Sequence, residues 1–169
     1  MKKFELTNEF VTNMFGTKLF RIRALVEFGD VEAGELGGYV EKESNLGHDD
    51  NARVYGNAWV SDNAWVYGDA QVSGDAWVYG DARVCGNGDY AYAHGFGSVN
   101  RTTTFFRLKD DGVGVRCGCF YGTLAQFRDK IRETHGETKK AQEYLMLADL
   151  MELRFEEDEN EVGNRKYVE

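Results

Sequence analysis

Acid–base or nucleophilic chemistry in this chain would have to come from three histidines and three cysteines. His94 lies in AYAHGFGS, His48 follows Leu46-Gly47, and His135 precedes a glycine that ends a helical pattern. A general base needs a second side chain to orient it and fix its tautomer, and no residue at a telling spacing from any of the three identifies such a partner. Cys117 and Cys119 alternate with Val113 and Val115 onto one face of a strand, where packing as small hydrophobes accounts for them. Cys85 takes an outward position held elsewhere by Tyr or Ser. Gly112-Val-Gly-Val and Gly95-Phe-Gly lack the Lys-Ser/Thr and the strand–loop–helix setting of a phosphate loop. No catalytic residue is therefore assigned, with His94 and His48 as the alternatives, and no metal site is expected.

Composition narrows the partners. With 29 acidic against 20 basic side chains the formal charge is -9, which opposes binding to duplex nucleic acid through its phosphates. No apolar run approaches the roughly 20 residues that span a bilayer, so no membrane association is expected. An odd cysteine number, no CxxC pair and no leader pattern point to a reducing, cytoplasmic setting. Twenty glycines and no proline leave the turns to Gly, Asn and Asp.

The elements that must position any site are dominated by a repeat. From Ala52 the chain reads ARVYGN, AWVSDN, AWVYGD, AQVSGD, AWVYGD, ARVCGN, followed by a degenerate GDYAYA. Position one is always Ala and position three always Val. With Val inward, strand alternation sends positions two and four outward and returns the small Ala to the interior. The Gly-Asp/Asn pair then turns a corner.

The flanks have their own patterns. Phe20, Ile22, Ala24, Val26 and Phe28 alternate within residues 17–28, a strand signal. Val40 and Leu46 are six apart, but the register slips by two before Val54, which places His48 and Asp49 in the slip. Thr102–Leu108 and Val113–Phe120 read as strands joined by a turn containing Asp111-Gly112. Thr123 and Gln126 form a capping box for a helix to about Thr134, and a second helix over 137–155 carries Tyr144, Leu147, Ala148, Met151 and Phe155 on one stripe. The resulting domains are an N-terminal strand or cap segment (1–35), the repeat region (36–98), a β-hairpin with two helices (99–156) and an acidic, mobile tail (157–169).

The aliphatic residue with a small residue four positions later resembles the hexapeptide-repeat left-handed β-helix. With LGGYVEKESNL and RCGCFYGTLAQF, the chain looks like the small phage and bacterial hexapeptide-repeat proteins often labelled acyltransferases. The resemblance implies a mainly β chain: a short left-handed parallel β-helix with an N-terminal strand segment and a C-terminal β-hairpin plus two helices, in an α+β arrangement. It implies three hexads per coil, so residues 18 apart stack about 4.8 Å apart. It also implies a homotrimer, acyl-coenzyme A as the alternative cofactor, and the host cytoplasm if the chain is phage-encoded. The catalytic His of that family sits by an extruded loop, which the six regular hexads lack. The family's carbonic-anhydrase branch needs clustered histidines, and these are far apart.

The same stacking sorts the outward side chains into three faces: Arg53, Tyr55, Gln71 and Ser73; Trp59, Ser61, Trp77 and Tyr79; Trp65, Tyr67, Arg83 and Cys85. Trp59 beside Trp77 makes a contiguous aromatic patch, the composition of interface centres. It would pack either under the chain's own C-terminal helices or against the Trp65/Tyr67/Arg83 face of a trimer neighbour. The expectation is a non-catalytic oligomeric binding protein that holds a host defence protein or a small nucleotide-type ligand. Its aromatics (Trp59, Trp77, Tyr79, Trp65, Tyr67) would stack a base, and Arg83, Arg53 or Arg101 would meet phosphate. The alternative is an acyl- or acetyltransferase using His94 or His48.

Overall fold

The computed structural model describes residues 1–156, and the acidic tail expected over 157–169 lies outside the described residues. The chain enters as an antiparallel pair, β1 (Phe4–Thr12) and β2 (Lys18–Ala24), with β3 (Leu36–Val40) antiparallel on the other edge of β2. The Asn13 side-chain oxygen ties the β1–β2 turn by accepting from the N–H groups of Phe15 at 2.9 Å and Thr17 at 3.0 Å. The strand expected over 17–28 ends at Ala24, and its buried residues are Leu19, Ile22 and Ala24 rather than an unbroken alternation from Phe20. A register shift between Arg21 and Arg23 breaks the two-residue period there.

The hexads then form six two-residue strands: β4 (Arg53–Val54), β5 (Trp59–Val60), β6 (Trp65–Val66), β7 (Gln71–Val72), β8 (Trp77–Val78) and β9 (Arg83–Val84). They pair in parallel with the expected register, Val54 with Val72, Val60 with Val78 and Val66 with Val84. Every Ala and Val of the repeat is buried, and a buried Val contributes roughly 1.5–3 kcal/mol. Corner glycines Gly56, Gly68, Gly74 and Gly80 have φ near 65°, a region that glycine enters without steric cost. Asp62 replaces glycine at one corner and adopts φ 60°. The preceding turn of the coil is longer: Val40 pairs with Val60 and Leu46 bridges to Val66. The extra residues fall in the 47–51 segment, as the slip at His48 and Asp49 requires.

Both coil ends are closed. At the first, buried Lys3 donates through Nζ to the carbonyls of Asp50 at 3.0 Å and Ala52 at 2.7 Å and to the Asp50 carboxylate at 3.1 Å. Burial pushes its pKa down, against the pull of Asp50. At the second, the chain leaves the coil as β10 (Tyr90–Phe96). This strand joins β11 (Arg101–Arg107), β12 (Val113–Cys117) and β13 (Phe120–Thr123) in a four-stranded antiparallel sheet, wider than the hairpin expected. Phe106 packs into the coil core, while Phe105 and Val115 pack under the helices.

Those helices are α1 (Leu124–His135), with the Thr123/Gln126 capping box in place, and α2 (Lys139–Phe155), capped by Thr138. Tyr144, Ala148, Met151 and Phe155 are buried as the stripe predicts, and Leu147 is half-buried. Cys119 corrects the single-face expectation: Gly118 turns with φ 57°, which ends the alternation and leaves Cys119 exposed. Among the described residues no helix is long and apolar enough to cross a membrane.

Lys3→Met leaves two carbonyls without their donor and takes from the Asp50 carboxylate its cation, though not the Ala52 and Gly68 backbone N–H groups that also donate to it. We expect it to lower the unfolding free energy by about 2–4 kcal/mol in urea titrations, less than for a fully buried pair because Asp50 is partly exposed. Lys2→Ala, which removes an exposed ion pair with Glu43, should stay within about 0.5 kcal/mol of the parent.

Candidate functional site

The parallel register sets Trp59 on β5 beside Trp77 on β8, and the indoles meet edge to face at 5.3 Å. Trp77 is pinned from two sides: its ring Nε1–H donates to Ser61 Oγ at 2.8 Å and its backbone N–H to Thr104 Oγ1 at 2.9 Å. Tyr79 meets Trp77 at 5.6 Å and Tyr121 of β13 at 4.9 Å. The aromatic ladder is thus partly covered within the chain, by the C-terminal sheet rather than by the helices.

Arg116 reaches into this ladder from β12. Its guanidinium carbon lies 4.2 Å from the Trp77 ring centroid, 4.4 Å from Tyr79 and 4.7 Å from Phe15 at the tip of the β1–β2 turn. The residue is only 3% exposed, and its Nε and Nη2 are buried without a hydrogen-bond partner. Burial lowers its pKa from the usual arginine value, with nearby Tyr79 acting the other way, and the side chain stays charged.

Beside it a groove of about 400 Å³ opens between coil and sheet, within the range of small-molecule sites. Asn57, Trp59, Asp75 and Trp77 line it from the coil, and His94, Thr102, Arg116 and Gly118 from the sheet. His94 Nδ1 lies 2.7 Å from Thr102 Oγ1. That hydroxyl can orient the ring, but it supplies no charge to stabilise an imidazolium as a carboxylate would.

The other residues singled out by sequence are dispersed. Trp65 and Tyr67 stack on each other at 4.0 Å on a different ladder. Arg83 there donates to the carbonyls of Asn63 at 2.8 Å and Ala82 at 2.9 Å. Arg53 is held by the Asp30 carboxylate and by Gln71 Oε1. Arg101 lines a separate cavity of about 220 Å³ with Lys130, His135, Cys117 and Cys119. His48 stacks on Phe4 at 4.3 Å, and its Nδ1 accepts the Lys3 backbone N–H at 3.1 Å, so it belongs to the first end cap. The structure therefore joins Trp59, Trp77 and His94 in one groove, with Tyr79 behind them, and separates them from the three expected arginines.

Arg116 was missed, although a signal existed. Once Val113, Val115 and Cys117 take one face of β12, Gly114 and Arg116 must take the other. Gly114 leaves room for the Phe106 ring, and Arg116 then lands on the tryptophans.

Three phenols near these sites resist ionisation. Burial, reinforced by adjacent Cys85, pushes Tyr67 up to about 12, and burial also raises Tyr121 and Tyr144. A folded pKa above the unfolded value near 10 gives stability that is complete below pH 10 and is lost as pH rises towards 12. Unfolding free energy should therefore fall between pH 10 and 12. Tyr67→Phe should reduce that slope, and late phenolate absorbance at 295 nm should accompany it in the parent.

Neither a curated protein nor a solved structure matches this chain. Residues 52–68 and 70–86 match the family model described as the YdcK beta solenoid repeat, so the coil is similar to a β-solenoid-type repeat.

Proposed function

We propose that the protein is a non-catalytic binding protein on a left-handed β-helix of hexapeptide repeats, and that the coil–sheet groove holds a small nucleotide-type ligand. The left hand is what the resemblance of the hexads, Val with a small residue four later, to hexapeptide-repeat proteins implies. One observation carries the function: a half-buried tryptophan pair borders a groove of ligand size, with polar groups converging from both walls. Trp77 is already engaged by Ser61, Thr104 and Arg116, so half-buried Trp59 is the ring available for stacking.

A homotrimer built on a free Trp59/Trp77/Tyr79 face is less favoured, since the chain's own sheet covers much of that ladder. Both walls of the groove come from one chain. An acyltransferase using His94 is the second reading, supported by the position of His94 in the groove and by its contact with Thr102.

Thermal-shift and calorimetric titrations with nucleoside monophosphates, cyclic nucleotides, coenzyme A and acetyl-coenzyme A test the two readings. A nucleotide at 100 times its Kd should stabilise the fold by about 2.7 kcal/mol. Trp59→Ala should weaken binding roughly 5- to 150-fold, in line with base–aromatic stacking of about 1–3 kcal/mol. Stabilisation by acetyl-coenzyme A alone, with turnover lost in His94→Ala, would replace the binding protein with the acyltransferase.

A further inference from the structure

We infer that Arg116 is the seat for a single phosphate monoester and that the groove selects nucleoside monophosphates over di- and triphosphates. This rests on the nucleotide reading above and names the ligand's charged end. Guanidinium groups that serve a fold are normally hydrogen-bonded through their terminal nitrogens, as Arg53 and Arg83 are here, even though Arg53 Nε is itself buried without a partner. Arg116 is buried, faces no carboxylate acceptor among the described residues, and keeps two nitrogens without partners. Cation–π contact with Trp77, Tyr79 and Phe15 offsets part of its desolvation, yet rings do not replace oxygen acceptors for its N–H groups. An anion entering the groove supplies them. A planar fork of donors suits phosphate oxygens bidentately.

The access route is present in the same contacts. Trp77 and Tyr79 are fixed by the coil, whereas Phe15 sits on the β1–β2 turn and is 55% exposed. Displacing that ring uncovers the guanidinium without disturbing the coil.

Charge in the groove sets the selectivity. Arg116 is the permanent cation among the lining residues, Asp75 is an exposed carboxylate on the opposite wall, and His94 is the other titratable group. One cation balances one phosphate. Additional phosphates would find no second cation and would meet Asp75, which is suited instead to a donor such as a ribose hydroxyl or a base amino group.

Calorimetry with adenosine, AMP and ATP on the parent, Arg116→Gln, Asp75→Asn and Trp59→Ala tests this. AMP should bind the parent roughly 10- to 100-fold more tightly than adenosine, and more tightly than ATP. Arg116→Gln should remove the AMP advantage while leaving adenosine affinity within about threefold, and Trp59→Ala should weaken both alike. Asp75→Asn, at an exposed corner, should narrow the gap between ATP and AMP, and it decides the matter if Arg116→Gln does not fold. Equal binding of AMP and adenosine to the parent, an Arg116→Gln variant that loses both equally, or unchanged ATP discrimination in Asp75→Asn would overturn the inference and leave the groove's stacking role standing. Failure of the parent to bind either adenosine or AMP would overturn the nucleotide reading itself, and this inference with it.

Discussion

A coil of two-residue strands cannot end in water. Each turn satisfies its backbone and buries its Val and Ala only against the turns on either side, so the first and last turns expose apolar surface and unpaired ladder groups. The rest of this structure is an answer to that constraint. At one end β1, β2 and β3 extend the Trp59/Trp77 ladder into a five-stranded sheet, while Lys3 supplies donors to the carbonyls of Asp50 and Ala52. At the other, Ala82 bridges to Leu108, Lys109 donates to the Asp81 carbonyl, and Phe106 fills the core. The groove exists because the second cap overlaps one lateral face of the coil as well as its end.

That overlap explains why the two tryptophans and Arg116 meet. The fold does not require Trp at the second hexad position, since Gln71 occupies the equivalent place on the neighbouring ladder and pairs with Arg53. Nor does β12 require Arg where it passes the coil. Two unforced choices on separately built elements converge within 4.2 Å, and the acidic character of the whole chain does not cancel their effect. Corner carboxylates such as Asp69 and Asp81 are exposed and screened by water and salt, whereas a guanidinium between aromatic rings is screened far less.

The limits of legibility in the sequence follow from the range of each signal. The coil register could be read because Ala and Val recur without a gap, and helix α1 because Thr123 and Gln126 form a local cap. Strand β1 could not: its pairing with β2 shifts register between Leu6 and Phe10, so its hydrophobic residues keep no constant period. Arg116 could be placed on a strand face by alternation, but that this face meets Trp77 depends on docking a sheet against a coil. Arg53 and Arg83 were visible as outward positions, and so was Gln71 beside Arg53, but their other acceptors, Asp30 and the carbonyls of Asn63 and Ala82, were not.

The difference between those arginines and Arg116 is physical. Arg53 and Arg83 lie on the coil itself, where Arg53 finds Gln71 on the next rung and Asp30 from the β2–β3 connection, and Arg83 finds the carbonyls of Asn63 and Ala82. Arg116 lies on an antiparallel sheet whose carbonyls are largely committed to cross-strand pairing, and it points at a face that offers rings. A cation in that setting keeps unused donors, and the groove beside it opens to solvent. Regular repeats can therefore build the platform and the aromatic surface, while the guanidinium held by rings rather than by oxygen acceptors arises here where the repeat meets a different architecture.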